Sequence, residues 1–275
     1  MSAPMSIDRS EPGTRVALHQ RTGTGIARVG YPIGVRRVRV AAREQVTETM
    51  VRLTLSGPEL EGFHTYQADD HVKVVFAFPD GTRNDPVPND EDSLDWVRPV
   101  PPTRKYTVRR HDPARREIDL DFVVHPGGLA ADWAATVAVG EEVVIAGPPG
   151  AKVWTTGFDH HVLAVDTTGL PALARWLEES PADVSAHVLI DTDQAADRDY
   201  PLVSLPGVEV TWLDRGEGSR LAEAVAALAL PPGRTFLFAA GEAGDVKALR
   251  AWAREHCAES TVTGYWKRGV AGLDD

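Results

Sequence analysis

Residues 104–109 read Arg-Lys-Tyr-Thr-Val-Arg. In an extended strand alternate side chains share a face, so Arg104, Tyr106 and Val108 project together, and Lys105, Thr107 and Arg109 project the other way. A guanidinium grips phosphate oxygens bidentately, a tyrosine ring offers a stacking or edge contact, and a threonine hydroxyl or its backbone N–H can bond a ring heteroatom. Together they suit a ligand with a phosphate at one end and a planar ring at the other. A second stretch follows closely, DFVVHPGGLAADWA at 121–134. Its glycine turn has free N–H groups and runs into a helix N-terminus, whose partial positive charge suits a diphosphate. A dinucleotide such as FAD has all these parts. The plain alternative is a basic edge strand of a barrel, where Lys and Arg block aggregation, and the residues alone leave both open.

These residues need a frame, and the patterning supplies one. Residues 1–32 are rich in Ser, Pro, Gly, Thr and Arg without periodicity, and read as a flexible arm. From 33 to 150, GVRRVRVAARE, TMVRLTLSG, DDHVKVVFAF, RKYTVRRH, REIDLDFVVH and EEVVIAGPPG alternate or run apolar as strands joined by turns, with one helix after Gly127-Gly128. Six strands of this kind predict an all-β antiparallel barrel. The acidic run Asp80, Asp85, Asp90, Glu91, Asp92 and Asp95 lies among prolines as a solvated loop with one short helix near Trp96. From 151 to 275 apolar strands alternate with amphipathic helices, which predicts an α/β nucleotide-binding-like domain with a mostly parallel, doubly covered sheet.

Bulk properties narrow the partner. The chain has 275 residues and a net charge of −11, which repels a nucleic-acid backbone and points to a small anion at a local basic patch. A single cysteine, Cys257, builds neither a disulfide framework nor a cysteine metal cluster. There is no signal-like N-terminal segment and no run of 18 apolar residues, so no membrane span and a cytoplasmic location are expected. Hydrolase and zinc motifs are absent, His160 and His161 are adjacent and point apart on a strand, and no protein-built metal site is expected.

Arg104, Tyr106, Thr107 and Arg109, spaced R-x-Y-T-x-R, resemble the flavin motif of the siderophore-interacting protein family, a branch of the ferredoxin–NADP reductase-like superfamily. DDHVKVVF, DFVVHPGGLAADWA, VVIAGPPG, VDTTGLPAL, AAGEAGDVKALR and GYWKRG resemble further landmarks of that family in the same order, over about residues 33–270. The resemblance implies that Arg104 binds a flavin phosphate, that Tyr106 lies against the isoalloxazine and that Thr107 sits near the flavin N5. It implies that His125 and the segment from Gly128 to Trp133 hold the diphosphate and adenosine side, with Asp121 and Phe122 lining the site. Ala131 stands where the family usually has Ser, and Ala151 where it often has Ser or Thr. Loss of the first hydroxyl removes one phosphate hydrogen bond, worth about 1–2 kcal/mol.

The same resemblance implies a two-domain, ferredoxin reductase-like FAD enzyme that passes electrons to a ferric siderophore. Lys73, Arg109, Lys267 and Arg268 are candidates for a basic pocket that takes this anionic complex, each also readable as a solvated surface cation. NADPH or NADH is the expected donor, with ferredoxin as the rival. Thr167, Thr168, Gly241 and Glu242 lie at the strand ends where a nicotinamide coenzyme binds, though turns there need small residues anyway, and Tyr265 and Trp266 read equally as a cover over the flavin or as core packing. The alternatives are a general flavin oxidoreductase with another acceptor, or a siderophore-binding protein without turnover.

Overall fold

Alternating apolar positions in the first half of the chain close a barrel, and nearly continuous apolar strands in the second half build a parallel sheet. The computed structural model describes residues 8–272 except 92 and 156. Asp92 of the acidic run therefore lies outside the described residues. Contacts divide the chain into two units: Met1–Arg43, Leu53–Leu120 and Val137–Thr155 in one, Glu44–Arg52, Asp121–Thr136 and Thr156–Asp275 in the other. This division cuts the chain at five places, the last of them after Thr155.

The arm reading of the N-terminus is replaced from Pro12 onward by regular structure. Helix α1 (Pro12–Thr22) starts on a proline, whose missing N–H is unneeded there, and β1 (Ile26–Gly30) follows. Val16, Val29 and Tyr31 pack with Val153 in one apolar cluster, and the Tyr31 hydroxyl donates to Asp70 Oδ2 at 3.0 Å. Weak periodicity hid these anchors.

Next come β2 (Val35–Thr47), β3 (Met50–Ser56), β4 (His71–Val75), β5 (Val87–Pro88), β6 (Leu94–Asp95), β7 (Thr103–Asp112), β8 (Glu117–Val123), α2 (Leu129–Thr136), β9 (Glu142–Ala146) and β10 (Gly150–Trp154). The six strands expected from the patterning close a barrel in the order β2-β3-β8-β7-β4-β9. Its buried alternate positions include Val38, Val40, Leu53, Leu55, Val72, Val74, Val143 and Ile145, each contributing about 1.5–3 kcal/mol by leaving water. Outside it, β1 pairs antiparallel with β10, from Ile26 with Trp154 to Gly30 with Gly150. The helix expected near Trp96 does not form. Val87 pairs with Asp95 and Pro88 with Leu94 as a small hairpin, and Leu94 and Trp96 pack on Val75, Val144 and Ala146. Closely spaced prolines withhold the N–H donors that a helix needs.

The second half holds β11 (His160–Asp166), α3 (Leu170–Glu179), β12 (Ala186–Thr192), β13 (Val208–Asp214), α4 (Leu221–Ala226), β14 (Thr235–Glu242), α5 (Ala243–Lys247), α6 (Leu249–His256) and β15 (Glu259–Trp266). The sheet is parallel, in the order β13-β12-β11-β14-β15. Every residue of β11 and β14 is buried, as both-face coverage requires. The helices of this half are short: α4 stops at Ala226, and a break at Ala248 separates α5 from α6. The order of connections reverses between β11 and β14, which makes their carboxyl ends the topological switch point where such sheets take ligands. No helix among the described residues is long and apolar enough to cross a membrane.

Candidate functional site

β7 carries the first group. It pairs with β4 so that Arg104 faces Val74, Tyr106 faces Val72, Lys105 faces Lys73 and Thr107 faces His71. Arg104 and Tyr106 are half-buried, and Thr107 is buried. The Arg104 guanidinium donates through Nη1 to its neighbour's carbonyl, Thr103 O, at 2.7 Å, and it meets no carboxylate among the described residues. Burial pushes the Tyr106 hydroxyl above its ordinary value, against the pull of Arg104 beside it. A half-buried cation with no counter-ion among the described residues, next to a flat ring, fits the phosphate-and-ring ligand that the motif implies.

The basic pocket is only partly as expected. The register shifts against β8 between Val108 and Arg110, so alternation breaks and Arg109 is only 5% exposed. The bulge turns it inward, and it is not a solvent-facing cation for a substrate. Lys73 lies half-buried, with its ammonium 5.3 Å from the centre of the Trp96 ring.

The second group lies on β8, α2 and the turn between them. Asp121 and Phe122, expected to line the coenzyme, hold the interior instead. The Asp121 carboxylate is clasped by Arg52 at 2.7 and 2.8 Å and by the Tyr200 hydroxyl at 2.5 Å. Phe122 is fully buried, its ring 5.7 Å from that of Trp133. His125 is exposed, and its ring lies over Gly128, where a Cβ would stand 2.6 Å from His125 Cε1. Ala131 is buried and Trp133 half-buried. Gly127 has a φ of 80° with open space where a side chain would stand, as a close approach of backbone to ligand requires. Its N–H already donates to Asp132 Oδ1 at 3.2 Å, so this carboxylate in the first turn of α2 competes with any incoming diphosphate.

The third group is at the switch point. Asp166, the last residue of β11, is 4% exposed. Oδ1 accepts from Thr168 N–H at 2.9 Å and Thr168 Oγ1 at 2.5 Å, and Oδ2 accepts from Glu242 N–H and Trp266 Nε1, both at 2.8 Å. Burial raises the Asp166 carboxyl above its ordinary value despite these donors. Gly241 has a φ of 154°, and a Cβ there would stand 2.6 Å from the Asp166 carboxylate. Glu242 accepts from Arg268 N–H at 3.0 Å and Asp245 N–H at 2.9 Å. Burial works upward on Glu242, but these amides and that of Gly244 outweigh it and hold its carboxyl below the ordinary value. Lys267 and Arg268 are exposed, with the Arg268 guanidinium 5.8 Å from the Trp266 ring centre. The structure thus brings Thr168, Gly241, Glu242, Trp266 and Arg268 together around Asp166.

Asp166, Arg52 and Tyr200 were not among the expected site residues. Asp166 had a legible signal: an aspartate that ends an apolar strand and is followed by two threonines is poised to accept from the amide two residues on. Arg52 and Tyr200 carry no local signal, because their partner Asp121 is remote in the chain.

Comparisons with known proteins bear on the family and the fold. Residues 39–152 match the siderophore-interacting FAD-binding domain, and residues 158–269 match the siderophore-interacting protein model. An NADPH-dependent ferric-chelate reductase of Escherichia coli is 32% identical, over 81% of this chain and 87% of its own length. A ferric vibriobactin reductase of Vibrio cholerae is 31% identical, over 82% of this chain and 87% of its own length. The crystal structure of a siderophore utilization protein from T. fusca superposes with a TM-score of 0.84 at 36% identity, covering 90% of this chain and 98% of that one. A ferredoxin NADP+ reductase from Neisseria gonorrhoeae, at 11% identity and a TM-score of 0.57 over 84% of this chain and 99% of its own, shares the fold alone. The chain belongs to the siderophore-interacting protein family, within the ferredoxin–NADP reductase-like fold.

Proposed function

We propose that the chain is an FAD-dependent ferric-siderophore reductase, with NADPH as donor. Its barrel half would hold the FAD and its α/β half the nicotinamide coenzyme. The observation that carries this is Arg104, half-buried beside Tyr106 with no carboxylate partner among the described residues. Arg104 would anchor a phosphate, Tyr106 and Thr107 would flank the ring, and Gly127 would admit the diphosphate. FAD, when bound, supplies the means to accept a hydride and release its electrons singly.

One NADPH yields NADP+, a proton and two electrons, enough to reduce two Fe(III) to two Fe(II). Fe(III) is held by hard oxygen donors, and each added electron weakens that hold and frees the metal. The exposed Lys267 and Arg268 would meet the anionic chelate. NADPH is preferred over NADH and ferredoxin because the Escherichia coli relative is named for it. The expected place of action is the cytoplasm.

The test is spectroscopic. The purified protein, reconstituted with FAD, should show the oxidised flavin bands, lose them when NADPH is added without air, and regain them when a ferric chelate follows. Flavin that binds but ignores the chelate would make the protein a reductase of another acceptor. A colourless protein that still binds the chelate would make it a carrier.

A further inference from the structure

We propose that Asp166 is a positioning residue for donor oxidation: from beneath the switch-point crevice it fixes the indole of Trp266 at the exit of β15. The proposal rests on the reductase assignment above and extends it to a residue that need not touch any ligand.

At 4% exposure Asp166 lies beneath the surface at the carboxyl end of β11. A carboxylate has about four lone-pair sites, and here four donors from three segments of chain occupy them. Three of those donors are local to strand ends, Thr168 after β11 and the Glu242 amide at the end of β14. The fourth is the indole N–H of Trp266, and it orients a half-buried ring. The close approach depends on Gly241, whose missing side chain leaves room for the carboxylate. Glu242 then holds the backbone of the next turn through the Arg268 amide. Two neighbouring carboxylates therefore secure successive parts of one exit, Asp166 the ring and Glu242 the main chain, next to the cations expected to meet the chelate. Asparagine at 166 would keep the size of the side chain but place an NH2 against one of these donors, so an N–H would face an N–H.

The experiment compares Asp166→Asn, Trp266→Phe and the double variant, all FAD-reconstituted. It measures flavin occupancy, melting temperature, and KM and kcat for NADPH with ferric citrate as acceptor. Each single variant should raise the KM for NADPH roughly tenfold, the scale of one charge-assisted hydrogen bond, with rates normalised to bound flavin. The double variant should be no worse than the poorer single one, because both remove the same contact. The indole emission assigned by difference to Trp266 should shift in Asp166→Asn. A carboxylate with only a structural role would lower the melting temperature and leave KM alone, and that result would overturn the proposal. So would multiplying effects in the double variant. If Asp166→Asn does not fold, an unchanged KM in Trp266→Phe overturns it. If the wild type oxidises NADPH and the variants behave like it, only the role of Asp166 fails; if the wild type does not oxidise NADPH, the reductase assignment fails and this role with it.

Discussion

His160 Nε2 lies 2.8 Å from His187 Nδ1, joining β11 to β12 at the end of the sheet where both strands begin. The other nitrogen of His160 meets Ser185 Oγ at 2.8 Å, and His187 Nε2 lies 3.5 Å from Glu209. Burial, then the charges of His187 and His161, lowers His160 to about 4.

The sign follows from linkage. Unfolded, the imidazole takes up a proton near its ordinary value of 6.5; folded, it resists until about 4. The contribution of this imidazole is therefore full above pH 6.5, is lost as the pH drops from 6.5 towards 4, and levels off below, a loss on the order of 1–3 kcal/mol once solvent screening is counted. Melting curves between pH 7.5 and 4.5 should show this loss, and His160→Gln should flatten it. An unchanged slope in that variant would place the acid sensitivity elsewhere.

Arg104→Ala should weaken FAD binding by roughly tenfold or more, since a charge-assisted phosphate contact is worth about 1.5–3 kcal/mol. Flavin titration followed by fluorescence quenching reads this directly. Wild-type affinity in the variant would remove Arg104 from the phosphate site.

Asp132→Asn should act in the opposite direction. The amide oxygen can still accept from Gly127 N–H, while the negative charge at the start of α2 is gone. FAD affinity should rise roughly two- to fivefold, the scale of one charge at a helix N-terminus. A fall in affinity on the same titration would show that the carboxylate shapes the turn more than it repels the diphosphate.

Tyr200→Phe removes one donor from the buried Asp121 and leaves its two bonds to Arg52. Urea denaturation should show a loss of about 1–2 kcal/mol. Asp121→Ala should cost more, because it leaves Arg52 without its buried counter-ion.

The six barrel strands and the strand–helix alternation of the second half were legible because they follow simple patterns, alternation in β4 and an unbroken apolar run in β11. Arg104 and Tyr106 were legible because strand parity places them together. Arg109 was not: a bulge between Val108 and Arg110 overrides parity, and nothing in RKYTVRR marks it. Asp121 matched a family landmark in sequence, yet the contacts that hold its carboxylate come from Arg52 and Tyr200, distant along the chain. Likewise α1 and β1 owe their order to Val153 and to the pairing with β10, not to any periodicity of their own.

That pairing bears on biosynthesis. Because β1 pairs with β10, Gly30 opposite Gly150, a nascent polypeptide leaving the ribosome carries β1 as a bare template until nearly the whole barrel half has been translated. Premature termination anywhere before β10 would strand that edge in the open, where sticky self-association, not a partly working enzyme, is the expected fate.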